Sequence, residues 1–404
     1  MHLPRLASAL SVIVLLAACS ESPPPFRPVA LEIPAGIGAI GPRISGSPEV
    51  GLVLSWMEQD QAGAALHFSR YSDGRWSTPG TVATGVDMFV NWADMPSVQP
   101  MGGNRLAAHW LEMSADLTYS YDVVFVQSDD GGRTWSEPLR PHDDGTPTEH
   151  GFVSMFVDDG GTGLIWLDGR MTGNAAAGDP KATGMTLRAA SVDPDSTIRN
   201  EQLVDELICD CCQTDIAVAA SGAVAVYRDR SAGEIRDIAV TRRIDGRWQP
   251  GTLVVADNWE IPGCPVNGPS IVAHGDFVAV AWFTGAGGRP VVKLAMSSDS
   301  GVTFSAPIEV AAGKVQGRVG LAYLGDGDVA VSWLQSGDSG AHPVHVRRYS
   351  ADGAPGPVRL VAQNANAFSF PQIALSGNHL VFVWTETRGS MTSLHGAQVP
   401  AAAL

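Results

Sequence analysis

This 404-residue sequence predicts an all-β fold: seven four-stranded units closed into a ring. Three observations carry the prediction. An apolar strand ending in an aromatic residue recurs at Trp56, Trp110, Trp166, Tyr227, Trp282, Trp333 and Trp384, at intervals of 51 to 61 residues. Self-similarity at such a period is the mark of a repeat architecture. The composition, 45 Gly and 27 Pro with only 17% charged residues, suits short strands joined by tight turns. Finally, two octets, SDDGGRTW at Ser128–Trp135 and SSDSGVTF at Ser297–Phe304, share the skeleton Ser-x-Asp-x-Gly-x-Thr-aromatic.

Taken in order, residues 1–18 carry His2 and Arg5 and then an apolar run from Leu6 to Ala18. The run is too short to span a bilayer and reads as a signal peptide. It ends in Leu16-Ala17-Ala18-Cys19, which resembles a bacterial lipobox, with Cys19 where the acyl chains would be attached. Ser20 at the next position is the pattern associated with the outer membrane, facing the periplasm or the exterior. Residues 19–26 then form the lipidated cysteine and a Pro-rich tether, and residues 27–404 form the β domain. The anchor makes the membrane one expected partner.

Each recurrent strand is preceded by a shorter one, opening at Pro42, Pro96, Gly151, Thr214, Pro269, Arg318 and Pro371. Each is followed by a third strand, a turn and a fourth. The turns are expected at Asp73-Gly74, the two octets, Asp193–Asp195, Asp245-Gly246 and Asp352-Gly353. Fourth strands are read in TPGTVA, SEPLRP, EQLVDE, PGTLVVA, SAPIEVA and PGPVRLVA. Four strands per unit at this period is the pattern of a β-propeller. The last unit has only three strands, so Arg27–Pro34 is expected to complete it and leave no free sheet edge.

The octets resemble the Asp-box of the sialidase-type (BNR-repeat) β-propellers. The resemblance implies a turn between the third and fourth strands, on the face away from that family's active site. Ser128, Asp130, Gly132, Thr134 and Trp135 fill the skeleton, and Ser297, Asp299, Gly301, Thr303 and Phe304 repeat it. Ser and Asp side chains bond within such turns, and Gly takes a positive φ at no steric cost. Sialidases of that family have six blades, which is the alternative count here.

Were the resemblance to extend to activity, Arg43 in Gly41-Pro42-Arg43-Ile44, Arg318 and Asp94 are the residues that would carry it. An arginine clamps a carboxylate, and the family's tyrosine nucleophile uses a glutamate as its base. The aromatic and the proline that flank the family's first arginine are missing, and no Tyr here is followed or preceded by an evident base. A sialidase-like hydrolase or a glycan-binding lectin is therefore the second reading.

The first reading rests on cysteine. Apart from Cys19, the four others, Cys209, Cys211, Cys212 and Cys264, fall on the segments leading into the fourth and fifth units. Those segments meet at the channel mouth, with His150 leading into the third. Thiolates select copper(I) or zinc, and an imidazole adds to such a site. The expectation is a non-hydrolytic, envelope-anchored protein with a thiophilic metal site. An even number of cysteines in an oxidising compartment is equally the pattern of structural disulfides in an interaction scaffold, and a redox-active pair stands beside both. The formal net charge of −16 argues against nucleic acid and anionic headgroups as partners and leaves a metal ion or a glycan open.

Overall fold

The computed structural model describes residues 24–47, 50–173, 184–337 and 342–404. Cys19 and the leader lie outside them. Among the described residues no helix is long and apolar enough to cross a membrane.

Seven antiparallel sheets follow one another along the chain, with strands in sequence order apart from the first strand of the chain, which joins the last sheet. They form the seven blades of a β-propeller. Blade one runs from Ile40–Ser47 to Gly80–Gly85, and blade seven begins at Gln372–Ser376. The closing strand is Val29–Leu31, paired antiparallel with Gly396–Gln398 at the outer edge of blade seven. Its partner is therefore the last strand of the chain, as the missing fourth strand required.

Why seven sheets make one ring is visible in the second strands. In Gly222–Arg228, Val224 and Val226 face blade five, while Ala225 and Tyr227 face blade three. Successive side chains of a strand point to opposite faces, and here both faces are covered, so the strand is apolar from Ala223 to Tyr227. Seven core clusters result, one at each junction between adjacent blades, including the junction of blades seven and one through Leu31, Trp56 and Val383.

The two octets build the same turn. Ser128 Oγ donates to Asp130 Oδ1 at 2.9 Å and accepts from Gly132 N at 2.9 Å. Asp130 in turn accepts from Thr134 N at 3.0 Å and Thr134 Oγ1 at 2.7 Å. Around Asp299 the equivalent bonds are 2.7, 3.0, 2.9 and 2.6 Å. Gly132 and Gly301 have φ of +86° and +77°. Trp135 meets Phe68 of blade one edge-on at 5.9 Å, and Phe304 packs at the junction of blades four and five.

Two fourth strands are shorter than the sequence suggests. In blade two, SEPLRP contributes only the bridge between Leu139 and Phe125, because Pro138 and Pro141 have no N–H to donate to a ladder. In blade four the strand is reduced to Thr252–Leu253, just after Pro250.

Candidate functional site

The innermost strands line a central channel of about 760 Å³. The face on which these strands begin is called the top here. Two side chains cross the channel near that face. Arg43 of blade one reaches Asp215 of blade four at 3.3 Å. Gln213 of blade four donates to Ala93 O of blade two at 2.8 Å and accepts from Gly268 N of blade five at 3.1 Å. Asp215 also accepts from Ser270 Oγ and Ile271 N. Arg43 is thus held by a carboxylate of the protein itself.

Arg318 lies elsewhere on the top face. Its guanidinium sits 4.4 Å from the centre of the Phe370 ring and 5.1 Å from that of Trp92. Among the described residues no acid pairs with it, and its Nε and one Nη have no partner; burial draws its pKa down to about 10. Asn267 fixes the segment, accepting from Arg318 N at 2.9 Å and donating to Gln316 O at 3.1 Å. Trp92 also contacts Phe368 at 4.9 Å, and Phe368 is 57% exposed.

Asp94, the third of the resemblance-derived candidates, is buried. It accepts from Phe152 N at 2.7 Å and lies 3.0 Å from the Tyr121 hydroxyl. The same hydroxyl lies 2.7 Å from Glu149 Oε1; having one proton, it donates to one of the two carboxyls and accepts from the other when that one is protonated. A Tyr–Glu pair is therefore present after all, assembled from the third strand of blade two and the segment leading into blade three. Burial is the main cause that pushes the Asp94 carboxyl up to about 8 and the Glu149 carboxyl up to about 7, with the charge of Glu149 adding to the former. Burial likewise raises the Tyr121 phenol. Gly151 has no room for a side chain here, since a Cβ would overlap Asp94. Asp94, Arg43 and Arg318 share no partner.

The four cysteines are joined as two disulfides, Cys209–Cys212 and Cys211–Cys264, with Cα separations of 5.8 and 6.1 Å. The sulfurs of Cys209, Cys211 and Cys212 lie within 4.8 Å of one another. Cys209 and Cys212 are buried, Cys211 is half-buried and Cys264 is exposed. Arg236 donates to Cys209 Sγ at 3.5 Å and to Asp210 at 3.2 Å.

His150 is not with these sulfurs. Its ring stacks on His142 at 3.9 Å, and its nitrogens face Asp144 at 3.1 Å and Asp122 at 3.6 Å. Burial lowers its basicity, but the hydrogen bond to Asp144 and the charges of Asp168, Asp144 and Asp122 outweigh that and raise it. Ligand atoms of Asp122, His142 and His150, and of Asp144, His150 and Asp168, come within 4.8 Å of one another. Arg170 already binds Asp144 at 3.2 Å and Asp168 at 2.7 Å. The group is an ion-pair network with its cationic places filled by protein side chains.

Three acids that lie two residues after a strand tryptophan have a structural partner. Glu58, Asp168 and Glu386 each accept from the indole two residues earlier, at 2.8, 2.9 and 3.0 Å. The pattern Trp-x-Glu/Asp, repeated in the sequence, was the signal for this.

Fold and site together define a seven-bladed β-propeller with a cysteine-bridged top face. No protein-family model matches the chain, and no curated protein matches it in sequence. Among solved structures it is similar to a protein of unknown function from Dyadobacter fermentans (TM-score 0.54, 12% identity, covering 93% of this chain and 99% of that one). It is also similar to a polysaccharide lyase, Uly1 (0.52, 10%, covering 89% and 90%), and to the phage phi92 endosialidase (0.51, 8%, covering 93% and 69%). At these identities the likeness shows the propeller fold and nothing of the chemistry.

Proposed function

We propose that this chain is an outer-membrane lipoprotein of the bacterial envelope, anchored through Cys19, whose cysteine site takes up copper(I) or zinc when reduced and catalyses no hydrolysis. The observation that carries the reading is the convergence of three sulfurs within 4.8 Å, with the fourth bonded to one of them. Thiolate donors select thiophilic metals. The Arg236 guanidinium donates to Cys209 Sγ at 3.5 Å, a contact that favours a thiolate there, while being paired also with Asp210 and Glu234. In the oxidised form the same sulfurs are committed to disulfides, so uptake requires reduction. His150 is left out of the donor set, because its nitrogens face carboxylates.

The test is metal uptake by protein reduced and handled without oxygen. Copper(I) or zinc should bind, and Cys211→Ser with Cys212→Ser should abolish binding while the β-rich circular dichroism persists. No uptake after full reduction overturns the reading and leaves the bridges as staples of a scaffold. Incorporation of labelled fatty acid that is lost in Cys19→Ser tests the anchor.

A glycan-acting role is the second reading, and one observation favours it. The Tyr121 hydroxyl sits between two carboxyl groups whose pKa values are both raised, the condition in which one of them carries a proton near neutral pH. Trp92, Phe368 and Arg318, which has no acid partner among the described residues, offer a stacking and anion-binding surface on the same face. Release of sugar from an acidic oligosaccharide, abolished by Tyr121→Phe, would promote this reading above the first.

A further inference from the structure

We propose that the four cysteines form a thiol–disulfide relay, in which the exposed Cys211–Cys264 bridge exchanges with an external dithiol and passes the change inward to the buried Cys209–Cys212 bridge. The inference uses the same sulfurs as the metal site but does not depend on metal binding.

Three features support it. The first is graded access. Cys264 is exposed and Cys211 half-buried, whereas Cys209 and Cys212 are 1% and 2% exposed. An external thiol can reach only the outer bridge directly. The second is proximity: Cys211 Sγ lies within 4.8 Å of the sulfurs of both inner cysteines, so the second exchange is intramolecular and needs only a small movement. The third is how little the inner bridge does as a staple. It joins residues three apart, and closing so short a loop restricts the unfolded chain little. Blades four and five are joined in any case by the bonds of Asp215 to Ile271 N and of Gln213 to Gly268 N.

The steps balance as follows. One thiolate of the dithiol attacks Cys264 Sγ, forming a mixed disulfide and releasing Cys211 as a thiolate. Cys211 Sγ attacks Cys209 Sγ, forming a Cys209–Cys211 bridge and releasing Cys212, which takes a proton from water. Attack on Cys212 is disfavoured because the Cβ atoms of adjacent residues diverge. The second thiol of the reagent then attacks its own sulfur in the mixed disulfide and frees Cys264 as a thiol. The dithiol loses two electrons and two protons and becomes a cyclic disulfide. The protein keeps one bridge and gains two thiols, on Cys212 and Cys264.

The experiment treats the oxidised mature protein with one equivalent of dithiothreitol in the presence of a chelator, which makes the outcome independent of metal. Free thiols are alkylated at timed intervals and located by peptide mass spectrometry. At early times Cys211 or Cys212 should be trapped while Cys264 is still held in the mixed disulfide; at equilibrium Cys264 and Cys212 should be the alkylated pair, with Cys209 joined to Cys211. If Cys211 remains the sole partner of Cys264 at equilibrium, the relay is wrong. The Cys211→Ser, Cys264→Ser double variant supplies a second arm: its inner bridge should be reduced at least about tenfold more slowly than in the parent, since exchange depends on access to the attacked sulfur. An unchanged rate overturns the proposal. A variant that fails to fold leaves the first arm decisive.

Discussion

Asp94, Tyr121 and Glu149 show what burial does to single residues. Both carboxyls are raised mainly by loss of water, Asp94 to about 8 and Glu149 to about 7, so the folded protein holds protons there that the unfolded chain releases near pH 4. Where the folded state binds more protons, stability falls as pH rises. The contribution of these groups is present in full below pH 4 and is lost progressively up to about pH 8. The melting temperature should therefore drop between pH 5.5 and 8.5, and Asp94→Asn, which cannot ionise, should remove about half of that drop or more. Thermal melts at a series of pH values check this; an identical slope in the variant would refute the assignment. Residue-level reading of the sequence singles out Asp94. It missed the link to Glu149, because Tyr121 lies on the third strand of blade two, 27 residues after Asp94 and 28 before Glu149, and no local pattern marks it. His150 was misassigned for the same reason. Its position at the mouth was legible, but the carboxylates that face it come from Asp122, Asp144 and Asp168, and only packing brings these together.

At the scale of the turn, local sequence is sufficient. The bonds of the Ser128, Asp130, Ser297 and Asp299 side chains within the two turns join residues no more than four apart, which is why the octets could be read directly. Gly131 N, which donates to Asn104 O, and Ser300, which donates to Asp276, then tie the turns to more distant residues. Even here tertiary contact adds a constraint. Gly131 and Gly132 both have positive φ, but a Cβ on Gly132 would overlap the Phe68 ring, whereas one on Gly131 has only Arg70 within 4 Å, at 3.8 Å. Gly131→Ala should therefore cost only the left-handed strain, about 1–2 kcal/mol. Gly132→Ala adds overpacking and should cost about 2–4 kcal/mol. Urea melts of the two variants test the difference, and equal losses would show that Phe68 yields freely. The shortened fourth strands of blades two and four follow from the prolines within or beside them. That signal was in the sequence and outweighs the apolar pattern.

On the scale of the whole molecule, closure is the decisive feature. Val29–Leu31 covers the outer edge of blade seven through its pairing with Gly396–Gln398, and Leu31 enters the core between blades seven and one. Removing residues 1–34 should lower the melting temperature and expose a strand edge that pairs with other copies. Removing residues 1–23 should do neither. Size-exclusion chromatography with light scattering separates the two results, and a monodisperse 1–34 deletion would mean that blade seven is stable with three strands. The sequence alone determined the all-β class, the repeat and its count, the closing strand and the two polar turns. These depend on period, on turn chemistry and on the number of strands a ring requires, all of which are recorded locally. Tertiary structure decided which cysteine joins which, that Arg43 is held by Asp215 across the channel while Arg318 packs on the Phe370 and Trp92 rings, and that Tyr121 lies between two carboxyls. Each of these joins residues on different blades, or sets a side chain's direction, and the order of residues along the chain does not record distance across a ring.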